Sequence, residues 1–150
     1  MPVNYALLFG FTVCAGVSIA SLTAGLTPES LLLSIGLFCN TLSGLWIAAL
    51  FVKDNLKLMI YLLIGLFVVC LVQISMLLGL MMVGMLSSGL MILYGVLGVI
   101  AAGLYVIVDL VMIMAPGEIS NDDYILGALM LYIDLLRLFL YILMIFATKK

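Results

Sequence analysis

A chain of 150 residues that is 68% hydrophobic and only 8% charged cannot hide its apolar surface inside a water-soluble domain, where about a quarter of the residues are charged. Lipid has to be its solvent, as the mean hydropathy of +1.51 also indicates. A net charge of -2 with no run of Lys or Arg excludes nucleic acid and a polybasic lipid-binding patch, and the absence of histidine removes the commonest metal ligand and the usual near-neutral proton switch.

In chain order, the first apolar stretch runs from Tyr5 to Gly25. It lacks the basic flank and short core of a cleaved signal and reads as a true span. Thr27-Pro28-Glu29-Ser30 ends it and offers a cap and a first-turn proline to the second, Leu31 to Val52. Lys53-Asp54-Asn55-Leu56-Lys57 is the strongly charged internal loop, and Leu58 to about Leu80 is the third stretch. After a weak break at Gly84 to Ser88, the fourth runs from Gly89 to Met114 and closes on Ala115-Pro116-Gly117. The acidic segment Glu118 to Asp123 leads into the fifth, Tyr124 to Thr148. Each stretch has about the 20 residues that a bilayer requires. The fold class is therefore all-α: one polytopic transmembrane bundle over 1–150, with the bilayer as its first partner.

Orientation is contested by charge. If every stretch crosses, Lys53, Lys57 and the acidic loop share one side while Lys149 and Lys150 take the other, so the positive-inside rule pulls both ways. Either the tail lysines lie outside and complement a helix C-terminus, or the last stretch is re-entrant. Its length favours full crossing. The terminal lysine pair is too weak a cue to choose among endoplasmic reticulum, Golgi and plasma membrane.

Small and polar residues carry packing information. Gly16, Ala20 and Ala24, and likewise Gly36, Asn40, Gly44 and Ala48, fall on single helix faces and predict close helix approach. Asn40, Thr41, Gln73 and Ser75 are mid-span polar groups expected to bond across helices, with a wet path as the alternative. Cys14, Cys39 and Cys70 read as small packing residues rather than disulfides or ligands.

The ionisable residues within the spans carry the functional signal, because a charge at membrane depth is costly and faces the bundle interior or water. Asp109 lies roughly 7 to 9 Å from the end of the fourth stretch, and Asp134 roughly 16 Å into the fifth. A short loop joins these stretches, which makes them antiparallel neighbours, and a modest offset brings the carboxyls together. Two such carboxyls cannot both ionise cheaply in a low dielectric, so the pair is expected to share a proton and titrate as a unit. Asp109 and Asp134 also form a hard-oxygen site suited to Ca²⁺. Arg137, one turn beyond Asp134, is a possible charge partner. The competing reading is a buried Asp134–Arg137 bridge with Asp109 bonded only to backbone.

The run Asn121-Asp-Asp-Tyr-Ile-Leu-Gly-Ala-Leu-Met-Leu-Tyr-Ile-Asp134-Leu-Leu-Arg-Leu-Phe-Leu-Tyr-Ile-Leu resembles the closing signature of the transmembrane Bax-inhibitor-motif family, its lifeguard branch in particular. Tyr105 to Met112 resembles the family's aspartate-bearing penultimate helix, and Pro2-Val-Asn-Tyr-Ala-Leu-Leu-Phe-Gly-Phe-Thr-Val-Cys14 the start of its third. The likeness covers nearly the whole chain, strongly at the C-terminal end and loosely between about residues 27 and 88.

The resemblance implies a seven-helix fold around a central helix, with an aspartate pair, here Asp109 and Asp134, whose shared proton gates a pH-sensitive Ca²⁺ leak. It implies no catalysis and no resident cofactor, Ca²⁺ being cargo, and it implies lowered Ca²⁺ stores and restrained apoptosis, with membrane-bound apoptosis regulators as partners. The family's placement of the acidic loop puts Glu118 to Asp123 on the cytosolic side, together with Lys53 and Lys57. Aligned on Pro2 to Cys14, the chain is expected to lack the first two family helices, including a basic partner for the aspartates, as a fragment, an isoform or a truncated member would. Ala15 stands near where the family often has a glutamate, and Arg137 where a neutral polar residue is usual. Arg137 either replaces the lost cation or cancels the negative charge of the site. Three functions follow: a pH-gated Ca²⁺ leak, a non-conducting regulator acting through protein contacts, and, least favoured, an intramembrane aspartyl protease. Against the last, no glycine turn flanks the aspartate, since Leu131-Tyr132-Ile133 precedes Asp134.

Overall fold

A computed structural model describes residues 2–83, 88–114 and 124–146. Residues 84–87 of the weak break, the acidic loop and the terminal lysines lie outside the described residues. Among the described residues the fold has five helices: α1 (Pro2–Thr23), α2 (Pro28–Val52), α3 (Leu56–Val83), α4 (Ser88–Met114) and α5 (Tyr124–Phe146). All five are long and apolar enough to cross a membrane, which defines a multi-pass integral membrane protein. Among the described residues there is no β-strand.

Local chemistry sets the boundaries. Thr27 caps α2 in an extended conformation, its side chain accepting from the Ser30 amide, and Pro28 opens the first turn, where its missing N–H costs nothing. The loop between α2 and α3 closes with a bond from the Asn55 amide to the Val52 carbonyl at 2.9 Å, and Asn55 Oδ1 accepts from the Leu58 amide at 3.3 Å.

Helix α4 is the most enclosed element, packed by α2, α3 and α5. Its closest partner is α5. Ala102 packs with Leu138 and Ile142, while Val106, Ile107, Leu110 and Val111 meet Ala49 and Val52 of α2. Helix α1 is peripheral: none of its described residues is buried, and it meets α5 through the edge-to-face rings of Phe11 and Tyr132, 5.9 Å apart. Apolar side chains on its outer surface, such as Leu7 and Phe9, are left to lipid.

The small-residue faces predicted on α1 and α2 do not mark the closest approaches. A Cβ added to Gly16, Gly36 or Gly44 would meet nothing within 4 Å. The tight contact lies on α4, where a Cβ at Gly95 would come within 2.7 Å of Ile145 and one at Gly98 would enter the ring of Tyr141. Small residues permit close approach without commanding it, and the partner surface decides which stripe is used. Of the four mid-span polar residues, Gln73 bonds across helices, donating to Tyr141 Oη at 2.9 Å. Ser75 turns back to the Leu71 carbonyl of its own helix at 2.6 Å, and Asn40 is exposed. The cysteines are free thiols: Cys14 and Cys39 are exposed, and Cys70 sits 3.5 Å from Tyr105 Oη.

Candidate functional site

The α4–α5 contact positions the site. Gly95 faces Ile145, Gly98 faces Tyr141 and Ala102 faces Leu138. Position rises along α4 as it falls along α5, which is an antiparallel register. Continued by one turn, that register sets Asp134 opposite Val106, with Asp109 about one turn further along α4. Both aspartates are buried, at 8% and 7% relative exposure, and their side chains stand within hydrogen-bonding reach of each other. The axial offset that this requires, roughly 7 Å at 1.5 Å per residue, is met by α5 beginning beyond the end of α4. No buried side-chain oxygen or nitrogen among the described residues is left without a partner.

Two carboxyl groups form a hydrogen bond only when one of them carries the proton. Ionisation of both carboxyls at this distance, between two helices in a low-dielectric interior, is costly. Arg137 adds the opposing charge: its Nη1 lies 3.8 Å from Asp134 Oδ1, within ion-pair range and beyond hydrogen-bond distance. Its guanidinium also rests over the Tyr105 ring, 5.8 Å from the centroid. The two alternatives read from the sequence therefore coexist in part. The Asp134–Arg137 bridge is present with Arg137 half exposed, and Asp109 meets Asp134.

Flanking space differs on the two sides. Towards the end of α4, Asp109 borders a gap of about 10 Å³ walled by Met112, Ile113, Gly127 and Met130, no larger than roughly one water. On the other side, beyond Arg137, lies a cavity of about 400 Å³ between α3, α4 and α5. Among the described residues, no group of three or more His, Cys, Asp or Glu side chains is placed to hold a metal ion.

Sequence reasoning singled out Cys70, Gln73 and Arg137 separately but did not gather them with Tyr105 and Tyr141 around one cavity. Tyr105 lies one turn before Asp109 and Tyr141 two turns after Asp134, so their helical spacing from the aspartates was the available signal.

A five-helix membrane bundle with two buried aspartates on its most closely packed helices is the class that these observations define. The chain matches, over residues 1–150, the family described as inhibitor of apoptosis-promoting Bax1, and it belongs to that Bax-inhibitor-motif family. No curated protein and no solved structure matches it.

Proposed function

We propose that the protein is a pH-sensitive Ca²⁺ leak whose gate is the proton shared by Asp109 and Asp134, and that it restrains apoptosis, as its family's description suggests, by limiting stored Ca²⁺. The observation that carries this reading is the hydrogen-bonding approach of two buried carboxyls at membrane depth. Charged groups there are costly and are retained for a role.

With one proton, the pair holds α4 and α5 together and presents a single negative charge, offset by Arg137. Loss of that proton as the pH rises puts two negative charges in contact, separates them, and creates an attractive site for a divalent cation. Ca²⁺ takes about six to eight oxygens, more than two carboxylates supply. Water would complete its shell, and such a site suits transit better than storage. The narrow gap bounded by Met112, Ile113 and Met130 is the barrier in the closed state.

The test is Ca²⁺ flux into liposomes containing the purified chain, across a pH series, for the unaltered protein, Asp109→Asn and Asp134→Asn. Flux that depends on pH in the first and not in the others supports the leak; identical flux in all three would remove it. A second reading, a non-conducting regulator of other membrane proteins, draws on Arg137 beside Asp134 and on the uncovered α1. It predicts no flux from the intact chain at any pH.

A further inference from the structure

The cavity of about 400 Å³ between α3, α4 and α5 is within the size range of small-molecule sites, roughly 300 to 1,000 Å³, and its chemistry is one-sided. Arg137 lines it and, among the described lining residues, carries the only charge. Among the described residues this side chain has one ion pair and one ring contact, neither of them a hydrogen bond. A guanidinium has five N–H donors and no acceptor, and at membrane depth unsatisfied donors are costly. Tyr141, whose oxygen accepts from Gln73 at 2.9 Å, brings a hydroxyl to the same cavity. The ring of Tyr94, 6.0 Å from that of Tyr141, closes the polar end.

The remaining wall is apolar and continuous with the lipid-facing surface. Ile74 and Leu77 line the cavity and are 56% and 44% exposed, so this wall is open to lipid. Arg137 lies roughly 20 Å from the start of α5 and roughly 13 Å from its end at 1.5 Å per residue. This is beneath the level of phospholipid headgroups and within the hydrocarbon.

We propose that this cavity binds a fatty acid, taken laterally from the bilayer, with its carboxylate on the Arg137 fork and the Tyr141 hydroxyl and its chain along Ile74 and Leu77. A carboxylate is acceptor-only and matches a planar fork bidentately. A single acyl chain satisfies the apolar wall, and a free fatty acid reaches this depth while a phospholipid headgroup does not. The proposal stands independently of Ca²⁺ conduction.

The full chain in phosphatidylcholine nanodiscs, labelled with a diazirine-bearing palmitate and mapped by mass spectrometry, provides the test. The expected labels fall on α3 and α5 beside the cavity. Palmitate displaces the probe, while hexadecanol, with the same chain and no carboxylate, and phosphatidic acid, with a phospholipid headgroup, do not. Arg137→Gln weakens binding about tenfold or more, the scale of a lost charge-assisted hydrogen bond. Leu77→Trp, which fills the apolar wall and leaves the charge in place, weakens binding as well and decides the matter alone if the arginine variant does not fold. Equal displacement by hexadecanol or phosphatidic acid, labelling away from the cavity, or undiminished binding in Leu77→Trp would overturn the proposal.

Discussion

Arg137 Nη1 approaches Asp134 Oδ1 to 3.8 Å from the next turn of α5, and it does so with its own side chain 48% exposed against 11% for the aspartate. That exposure is to lipid or to the adjoining cavity and not to bulk water, so the pair is not screened by water and its loss leaves Asp134 without a nearby cation. In the proposed leak, Arg137 places a fixed cation where a permeating cation would have to sit. Arg137→Gln is therefore expected to raise Ca²⁺ flux in liposomes severalfold, at some cost to the thermal midpoint. Flux no higher than that of the unaltered protein would show that Arg137 does not obstruct the site.

Replacing one carboxyl by an amide separates the contact from its proton. In Asp109→Asn the amide nitrogen donates to Asp134, so the α4–α5 contact persists at every pH. Flux should become insensitive to pH while the helices remain packed. Liposome flux in a pH series, with cysteine cross-linking between α4 and α5 as the packing readout, checks both halves of this expectation.

Asp109 also borders a gap of about 10 Å³ beside Met130, the barrier of the proposed leak. Met130→Ala removes most of that side chain and should increase flux at all pH values without changing the shape of the pH profile. A change of shape would mean that Met130 influences the aspartates rather than the barrier.

Helix packing makes a prediction independent of transport. Gly98→Ala forces a methyl group into the Tyr141 ring, and overpacking of this kind costs about 1–3 kcal/mol. Gly16→Ala, whose Cβ would meet nothing within 4 Å, should be neutral. Thermal unfolding in detergent orders the two.

The bond from Gln73 Nε2 to Tyr141 Oη, 2.9 Å long, ties α3 to α5. Interhelical bonds in bilayers average about 0.6 kcal/mol, so Gln73→Leu and Tyr141→Phe should each destabilise slightly and show coupling of that order in a double-mutant cycle. Additive effects would mean that the bond contributes nothing.

Membrane residence, the five helices and the choice of Asp109, Asp134 and Arg137 as residues of interest follow from the sequence alone. Each rests on a local or compositional rule: about 20 apolar residues cross a bilayer, proline and a capping threonine open a helix, and charge within the hydrocarbon is costly. The short connection between the last two spans also makes them antiparallel neighbours. What lay beyond the sequence was which surfaces meet. Gly16 and Gly98 look alike in a string of letters, but only Gly98 faces an aromatic ring, because a small residue allows contact and the opposing helix determines whether contact occurs. The axial offset that brings Asp109 to Asp134, and the position of Arg137 between that contact and a cavity shared by three helices, likewise depend on helix register. Register is set by the summed packing of residues distant in sequence, and tertiary structure alone decides it.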